Sequence, residues 1–563
     1  MNLKQDKKLS YSHMGSEKQL LWTTIGDRLK YTAEKYPKND ALVAVWRNEK
    51  YTYEHFYKIC KTAAKGLINM GVKRGDRVGI WATNYTEWVI TQFSTAMIGA
   101  ILVTINPTLR ENELEYVLRD SECQTLILIE KFKTSKYLEM FYNIFPEAKK
   151  QMPGKLHSYK FPNLKNVIVL SKEGKPGMYT ANDVIIHGKQ ISNEQLSKYQ
   201  EELDPDDVIN IQYTSGTTGF PKGACLTHHN IINNAYLVGE NLNFTHNDRL
   251  CIPVPFYHCF GMVLSNMLCV NYGATMVIPN EIFDPLLTLK AVENEKCTAM
   301  HGVPTMFIAQ IEHPDFNKTN LSTLRTGIMA GAPCPIELMK KVRNKMGIKD
   351  ITICYGLTEA SPVTNQTRFT DPVEIRVETV GKPLQHTEIK IIDPDSGKVV
   401  PLGFQGEICV RGFQIMKGYH NKPIETKISI DDNGWLHTGD LGTLDEQGYC
   451  RITGRLKNMI IRGGENIYPR EIEEYLHTHP DVIDVNVFGV PDEKYGEEIA
   501  AWIKIRSKSK IKDEDIKTYC KGKISHQKIP KYIKFVDEFP MTVTGKIQKF
   551  RMKEIYSEEL NLK

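Results

Sequence analysis

A short segment rich in glycine and hydroxyl side chains is the strongest chemical signal in the sequence. It reads Tyr-Thr-Ser-Gly-Thr-Thr-Gly-Phe-Pro-Lys-Gly over residues 213–223 and follows an apolar, strand-like run at 208–211. Its glycines let backbone N–H groups approach phosphate oxygens, its hydroxyls can donate to them, and its lysine adds a positive charge. The segment predicts a polyphosphate site formed by Thr214, Ser215, Gly216, Thr217, Thr218, Gly219, Phe220, Pro221 and Lys222.

Two other interpretations of this segment are weaker. An ordinary polar turn needs only one or two such residues, whereas here they fill nearly all eleven positions. A Walker A loop requires Gly-Lys-Ser/Thr after the four residues that follow its first glycine, but Gly216 is followed at that place by Pro-Lys-Gly. The kinase and ATPase classes built on that loop therefore lose support.

The segment resembles the signature of the adenylate-forming superfamily, which includes acyl-CoA synthetases, peptide-synthetase adenylation domains and firefly luciferases. Six further motifs similar to those of the superfamily follow in its order, at residues 255–261, 331–334, 355–359, 435–440, 454–455 and 544–546. The resemblance covers residues from about 20 to 555. Ordered matches over this length make coincidence negligible, although one short motif would be only a hypothesis.

The resemblance implies further contacts to ATP or AMP. A loop of small residues would lie against the adenine, where the lack of bulky side chains permits close approach. A carboxylate with two oxygens would accept hydrogen bonds from both ribose hydroxyls, next to a cationic neighbour. These positions, with the first residues of the 355–359 motif, are Gly331, Ala332, Pro333, Asp440, Arg455, Tyr355 and Gly356.

Three residues are implied to be catalytic. Lys546 resembles the lysine of the small domain, whose ammonium would bridge the attacking carboxylate and the α-phosphate of ATP. Glu359 would hold Mg²⁺ as a hard oxygen ligand, and Thr358 would donate to the α-phosphate. Taken singly, each would more often be a solvated side chain, and its place in the ordered motifs reverses that expectation.

The acyl group and coenzyme A are assigned to other positions by the same resemblance. His258 resembles the aromatic or histidine position near the acyl pocket, with a core histidine satisfied by a hydrogen bond as an equal alternative. Gly302 and Ala330 would leave room for a methylene chain. Gly463 and Gly464 would line the pantetheine tunnel. Lys457 occupies the domain hinge, where many relatives have Asp.

The resemblance implies an AMP-forming fatty acid–CoA ligase, with Mg²⁺ as cofactor and ATP and coenzyme A as cosubstrates. The segments at 301–306 and 462–469 look most like medium-chain fatty acyl-CoA synthetases. Alternatives are an acyl-AMP ligase that loads an acyl carrier protein, a peptide-synthetase adenylation domain, a luciferase-like oxygenase and a nonenzymatic nucleotide-binding sensor. The sensor would require loss of a catalytic position, yet Lys222, Glu359 and Lys546 are all present.

Composition limits the compartment and the partners. A net charge of +5 over 563 residues does not favour nucleic acid. The 12 scattered cysteines lack metal-type spacing, so we expect reduced, mostly buried thiols in the cytoplasm, without disulfides or structural zinc. The N-terminus lacks the apolar core of a secretory signal. The most apolar stretch, 93–105, is too short to span a bilayer and is expected to be a buried core segment.

A basic stretch near the C-terminus has several possible roles. Residues 504–534 hold eleven Lys or Arg against three acidic residues. This excess could meet coenzyme A phosphates or give a weak peripheral contact to anionic lipid, and a solvated face is the better interpretation. We expect a monomer or a homodimer.

The elements that must position these residues belong to an α/β fold. Short β-branched runs such as 77–81, 125–129 and 166–170 alternate with helix-like stretches, a pattern typical of parallel sheets covered by helices. The length suggests several structural units. We predict a large N-terminal domain of layered sheets and helices over 1–456, with a β-rich subdomain over about 387–454, and a small mobile α+β domain over 457–563. Within the small domain we expect helices at 470–476 and 513–523 and strands at 485–488 and 502–505.

Overall fold

The computed structural model describes residues 8–214, 221–332, 334–463, 465–507, 509–542 and 547–562. Its first large sheet, sheet A, has eight strands. Their spatial order is Gly418–Tyr419, Lys222–Thr227, Val208–Thr214, Ile101–Thr104, Arg77–Trp81, Thr125–Leu128, Asn166–Val169 and Tyr179–Thr180. The pairs from Val208–Thr214 to Tyr179–Thr180 are parallel, and only the first two pairs are antiparallel.

The second large sheet, sheet B, has nine strands. Their order is Lys382–Pro383, Val363–Gln366, Asp350–Gly356, Thr326–Ala330, Ala299–Gly302, Arg249–Cys251, Thr275–Ile278, Asp40–Ala44 and Glu49–Thr52. Its central pairs are parallel and its edges are antiparallel. Strands such as Thr125–Leu128 and Thr326–Ala330 are buried along their whole length, as parallel strands covered on both faces must be.

Helices cover these two sheets, and most of them contain buried residues. The helix Ile25–Lys35 begins at Thr24, whose side chain caps the N–H of Asp27, and it buries Ile25 and Leu29. The others of the N-terminal region are Tyr53–Asn69, Thr86–Ala96, Glu111–Asp120, Tyr137–Ile144, Ala181–Gly188, Asn193–Glu201, His228–Asn241, Cys259–Gly261, Leu268–Tyr272, Pro285–Asn294, Pro304–Ile311, Ile336–Lys345, Val373–Glu378 and Pro423–Ser429. A π-helix, Met262–Met267, joins the helices Cys259–Gly261 and Leu268–Tyr272.

A third sheet, sheet C, forms the predicted β-rich region. It contains Tyr11–Met14, Thr387–Ile392, Gly406–Gly412, Leu436–Leu444 and Cys450–Arg455. The prediction for 387–454 did not include the strand Tyr11–Met14, which pairs with Thr387–Ile392 from the far end of the chain. Its local sequence gives no sign of that partner, because the pairing depends on the register of a strand about 375 residues away.

The C-terminal region has its own sheet, sheet D, with strands Glu465–Ile467, Ile460–Arg462, Gly496–Ile505, Val482–Asp492 and Tyr532–Phe535. Helices Pro469–Leu476, Asp513–Cys520 and Lys549–Glu559 pack with it. The predicted strands at 485–488 and 502–505 are parts of one longer hairpin. The predicted helix at 513–523 ends earlier because Lys521 is extended and bridges to Ile524.

The α/β fold class is confirmed, and the domain boundaries stay predictions. The stretch 93–105 is a core segment as predicted, since it contains the end of a buried helix and a sheet A strand. All twelve cysteines are free thiols, and eleven of them are buried. Among the residues that the structure describes, no helix is both long and apolar enough to cross a bilayer.

Candidate active site

The predicted phosphate segment connects two antiparallel strands of sheet A. Val208–Thr214 leads into it and Lys222–Thr227 leaves it, and Thr214 lies directly opposite Lys222. The Thr214 hydroxyl donates to the Lys222 carbonyl over 3.3 Å, and the Tyr116 hydroxyl donates to the Pro221 carbonyl over 3.0 Å. Ser215, Gly216, Thr217, Thr218, Gly219 and Phe220 lie outside the described residues. Both ends of the segment are thus held by the sheet.

Lys222 faces an aromatic ring that sequence reasoning did not select. Its Nζ lies 4.6 Å from the ring centroid of Tyr419, a distance at which a cation is attracted by the ring face. Tyr419 belongs to the edge strand Gly418–Tyr419, which pairs with Lys222–Thr227. Its only sequence signal is a Gly-Tyr pair at 418–419, which carries no chemical specificity of its own.

Thr358 and Glu359 occupy a 3₁₀ turn that follows the sheet B strand Asp350–Gly356. The Tyr419 hydroxyl donates to Glu359 Oε1 over 2.6 Å. Burial raises the pKa of Tyr419 well above its ordinary value, and the Glu359 carboxylate raises that pKa further, so the hydroxyl stays protonated as a donor. The Tyr419 side chain therefore contacts both Lys222 and Glu359.

Gly356 is required at the end of this strand. A Cβ built there would lie 1.9 Å from the carbonyl oxygen of Pro362, closer than any real Cβ contact. The glycine lets the chain turn directly into Thr358–Ala360. The backbone N–H of Met416 also donates to the Glu359 carbonyl over 2.9 Å, which ties the turn to the segment that precedes Tyr419.

The predicted ribose residues, Asp440 and Arg455, form a hydrogen-bonded group with Tyr355. Tyr355 donates through its hydroxyl to Asp440 Oδ2 over 2.8 Å, and Arg455 donates through Nε to Oδ1 over 2.5 Å. Asp440 and Arg455 are direct partners across two strands of sheet C. Burial, with the Asp440 charge, holds the pKa of Tyr355 well above its ordinary value, and the Asp440 charge raises the pKa of Arg455. Asp440 is therefore a buried carboxylate with one fixed donor on each oxygen.

The residues around Glu359 fit a magnesium ion. A carboxylate offers about four lone-pair positions, and the bond from Tyr419 uses one of them. The Thr358 hydroxyl adds another oxygen in the same turn. Magnesium is usually held by one or two carboxylates together with waters and substrate phosphates, so a larger cage of protein ligands is not needed.

The predicted adenine loop follows the buried strand Thr326–Ala330. Gly331 has a left-handed backbone with φ of +85°, and a Cβ there would lie 3.2 Å from Val303. Both facts favour glycine. Ala332 is half-buried, and Pro333 lies outside the described residues. Close approach of a flat ligand to this backbone remains a prediction.

The predicted acyl-pocket residues lie around the same part of sheet B. Gly302 and Ala330 are at the ends of neighbouring parallel strands and are buried. His258 caps the helix Cys259–Gly261, because its Nδ1 accepts the Phe260 N–H over 3.2 Å. This hydrogen bond gives His258 a structural role. A contact of His258 with an acyl group stays a prediction.

His301, next to Gly302, was named only as part of a segment, yet it is the more buried histidine. Its Nδ1 lies 3.3 Å from the Ser265 hydroxyl, and its ring stacks on Phe260 with centroids 5.7 Å apart. Its Nε2 has no hydrogen-bond partner among the described residues. Burial lowers the pKa of His301 to about 3, so the ring is neutral near pH 7.

The predicted tunnel and hinge residues lie at the start of the C-terminal region. Gly463 is in the turn between Ile460–Arg462 and Glu465–Ile467, with φ of +60° and its N–H donating to the Tyr495 carbonyl over 2.8 Å. Lys457 is in the 3₁₀ turn Leu456–Asn458, directly after Arg455. Gly464 lies outside the described residues. The tunnel and hinge roles stay predictions.

Lys546 also lies outside the described residues, but its flanks are defined. Met541 and Ile547 form an antiparallel bridge, and the Gln548 N–H donates to the Pro540 carbonyl over 2.8 Å. Lys549 then pairs with Glu473 and donates to the Val487 carbonyl. The two flanks are therefore joined to each other, and Lys549 ties the C-terminal flank to the sheet D strand that contains Val487.

One cluster of potential metal ligands occurs among the described residues, although the cysteine spacing had predicted no zinc site. Glu407, Cys409 and His437 have donor atoms within 4.8 Å of one another. Glu407 and His437 already form a 3.0 Å hydrogen bond, which raises the pKa of His437. Lys390 lies opposite Cys409 in the sheet, and its positive charge opposes a cation at the thiol. We therefore interpret the group as a polar contact within sheet C.

The basic stretch at 504–534 is partly engaged in ion pairs. At least five of its described cations have acidic partners, which are Arg506 with Glu312, Lys517 with Glu514, Lys528 with Glu471, Lys531 with Asp492 and Lys534 with Glu559. This pairing favours the solvated-face interpretation over a contact with lipid.

Comparisons with known proteins identify the family of this chain. The model of the AMP-binding enzyme family matches residues 29–420, and the AMP-binding enzyme C-terminal domain matches residues 471–546. The protein YngI of Bacillus subtilis (strain 168) is 52% identical, over 97% of this chain and 99% of its own. The mitochondrial medium-chain acyl-CoA ligase ACSF2 of Danio rerio is 45% identical, over 98% of this chain and 91% of its own. The crystal structure of the anthranilate CoA ligase AuaEII in complex with anthranoyl-AMP superposes with a TM-score of 0.84 at 26% identity, over 97% of this chain and 99% of that one.

Proposed function

Because the chain belongs to the AMP-binding enzyme family, we propose that it is an AMP-forming fatty acid–CoA ligase that activates a medium-chain fatty acid. The observation that carries the nucleotide chemistry is the buried Asp440 carboxylate, with Tyr355 on one oxygen and Arg455 on the other. The medium-chain fatty acid rests on the ACSF2 relative, which is similar over nearly its whole length.

The first half-reaction joins the acid to AMP. A fatty carboxylate oxygen attacks the α-phosphorus of ATP, a new O–P bond forms, and the bond to the β-phosphate oxygen breaks to release diphosphate. Negative charge builds up at the phosphorus, so ammonium groups near it lower the barrier. We assign Lys222 and Lys546 to this task, with the hydroxyls of the 214–218 segment and Thr358 donating to phosphate oxygens.

The second half-reaction transfers the acyl group to sulfur. The coenzyme A thiol loses its proton to solvent, and its sulfur attacks the acyl carbonyl. The carbon–sulfur bond forms, the bond between the acyl carbon and the phosphate oxygen of AMP breaks, and AMP leaves with that oxygen. In our assignment Gly463 and Gly464 line the route of the pantetheine arm, because residues without side chains allow close approach. Lys457 is the pivot about which the C-terminal region would turn between the two steps.

Magnesium, when bound, neutralises charge on the phosphates and so assists diphosphate departure. Glu359 is the residue we assign to hold it, with Thr358 in the same turn.

The cytoplasmic location and the monomeric or homodimeric state stay predictions.

The activity is tested with ATP, coenzyme A, Mg²⁺ and free acids from acetate to palmitate, with AMP, diphosphate and thioester measured together. The proposal expects thioester with a maximum at medium chain length. A maximum at another length would contradict the substrate assignment alone. Diphosphate without thioester would indicate a carrier-protein acceptor, and no product with any acid would refute the fatty acid–CoA ligase assignment.

The role of Lys546 is tested by separating the half-reactions. Lys546→Ala should slow adenylation by orders of magnitude while leaving thioester formation from supplied acyl-AMP much less affected. Lys553→Ala is the matched control, because Lys553 lies on the C-terminal helix and pairs with Glu497 over 2.7 Å. Equal loss in both half-reactions would remove Lys546 from the adenylation step.

A further inference from the structure

Tyr419 contacts two groups that come from different parts of the chain. Its hydroxyl donates to Glu359 Oε1, which follows a strand of sheet B, and its ring faces Lys222 Nζ, which begins a strand of sheet A. Tyr419 itself is buried, with 9% of its surface exposed. One rigid side chain thus lies between the residue assigned to magnesium and a residue assigned to phosphate.

The backbone of Tyr419 is fixed on several sides. Tyr419 pairs with Ala224, and the N–H groups on either side of this pair, those of Lys417 and His420, donate to the carbonyls of Cys225 and Gly223 over 3.0 and 2.7 Å. Its own N–H donates to Thr426 Oγ1 over 2.9 Å.

Gly418 brings the chain close to that same threonine. Its φ is +144°, and a Cβ there would lie 2.8 Å from Thr426 Cγ2. A larger residue would push the strand away from Thr426. The phenol ring is therefore held in place before any ligand binds.

The hydrogen bond leaves Glu359 one preferred orientation. A free glutamate side chain has three rotatable bonds, and ordering it on ligand binding costs conformational entropy. A 2.6 Å bond from a neutral hydroxyl to the charged carboxylate is of the strong, charge-assisted kind. It uses Oε1 and keeps Oε2 and the remaining lone pair of Oε1 available for a cation.

We propose that Tyr419 is a positioning residue that holds the Glu359 carboxylate for the nucleotide-bound divalent cation and keeps Lys222 over its ring for the phosphates. The inference rests on the proposed nucleotide site. It assigns separate tasks to two parts of one side chain, with the hydroxyl acting on the cation and the ring acting on the lysine.

Two substitutions separate these tasks. Tyr419→Phe removes the hydroxyl and keeps the ring, so cation binding should weaken about fivefold or more while the contact with Lys222 persists. Tyr419→Leu removes both, so the KM for ATP at saturating Mg²⁺ should also rise severalfold. Tyr449→Phe is the matched control, because its hydroxyl donates to Asp371 Oδ1 over 3.0 Å in a similar Tyr–carboxylate pair.

The decisive measurement needs no turnover. Binding of Mn²⁺ is followed by electron paramagnetic resonance with α,β-methylene-ATP present, for the unchanged protein and the Phe, Leu and control variants. We expect Tyr419→Phe to bind Mn²⁺ more weakly than the unchanged protein and to need a higher Mg²⁺ concentration for diphosphate release. Tyr449→Phe should match the unchanged protein in both measurements. Equal Mn²⁺ affinity in Tyr419→Phe and the unchanged protein would overturn the proposal.

The outcome is independent of the acyl substrate. If the unchanged protein binds Mn²⁺ with the nucleotide analogue but makes no acyl-CoA, the proposed ligase activity fails while the role of Tyr419 is still tested. Circular dichroism and thermal melting of each variant identify any loss of folding, and Tyr419→Phe, which keeps the ring and its packing, decides the question if Tyr419→Leu does not fold.

Discussion

Replacement of Asp440 by Asn tests how the site holds the ribose. In the structure each carboxylate oxygen already accepts one hydrogen bond, from Tyr355 over 2.8 Å and from Arg455 over 2.5 Å. Since a carboxylate has about four lone-pair positions, two remain, one on each oxygen. This number matches the two hydroxyls of a ribose. An asparagine has one acceptor oxygen and no charge, so at least one of these contacts must be lost.

The expected magnitude follows from these contacts. A hydrogen bond to a charged group contributes about 1.5–3 kcal/mol, and about 1.4 kcal/mol is a factor of ten in affinity. The unchanged protein should therefore bind 2′,3′-dideoxy-ATP at least about 10-fold more weakly than ATP. In Asp440→Asn the two nucleotides should differ only a few-fold, because the charged acceptor is gone. The coupling free energy between the Asp440→Asn change and the loss of the ribose hydroxyls should therefore be at least about 0.7 kcal/mol.

The assay is isothermal titration calorimetry of both nucleotides with each protein. Asp371→Asn is the control, because Asp371 also accepts a hydrogen bond from a tyrosine hydroxyl, over 3.0 Å, and should leave the ratio of the two affinities unchanged. If ATP and 2′,3′-dideoxy-ATP lose affinity equally in Asp440→Asn, Asp440 does not contact the ribose, and its role is confined to holding Tyr355 and Arg455.

Two further predictions concern stability and pH. Gly356→Ala should lower the free energy of unfolding by about 1–3 kcal/mol, because the new Cβ would lie 1.9 Å from the Pro362 carbonyl oxygen. Gly174→Ala is the control, because nothing lies within 4 Å of a Cβ built there, and it should leave stability unchanged. Thermal melting measures both variants, and equal melting temperatures would refute the close-contact argument. His477 Nε2 lies 3.6 Å from Asp484 Oδ1, and burial lowers the pKa of His477 to about 4 and raises that of Asp484 to about 7. Both groups are therefore neutral in the native protein between pH 4 and 6.5, and their opposite contributions to the pH dependence of stability nearly cancel there. Asp484→Asn should become more stable as pH rises from 4 to 6.5, because in that range His477 binds a proton only in the unfolded chain. His477→Asn should become less stable as pH rises from 4 to 7, because in that range Asp484 binds a proton only in the native protein. If the melting temperatures of the two variants change with pH in parallel, both pKa assignments are wrong.

The parts of the fold that depend on local sequence were predictable. Continuous apolar runs such as 77–81 and 125–129 became parallel strands, because strands buried on both faces need apolar side chains throughout. The apolar run at 208–211, predicted as strand-like, is likewise part of the strand Val208–Thr214. The helix predicted at 513–523 was too long by three residues, because Lys521 is extended and bridges to Ile524.

Other parts of the site depend on contacts between distant segments. Tyr419 lies 60 residues from Glu359 in the chain, and Tyr355 lies 85 residues from Asp440. Only the register of strands from three sheets brings these side chains together. The motif order could indicate that Asp440 and Arg455 act on one ligand, but the direct pairing of their strands was not readable from either motif.

The sequence alone therefore determined the chemistry of the parts: which segments can approach phosphate, which carboxylates and cations are available, and which runs become strands. These properties reside in side-chain type and short-range spacing. The tertiary structure decided which parts meet, including the unselected Tyr419 and the strand Tyr11–Met14 that completes sheet C. Such pairings are set by packing and strand register over hundreds of residues, and no local pattern specifies them.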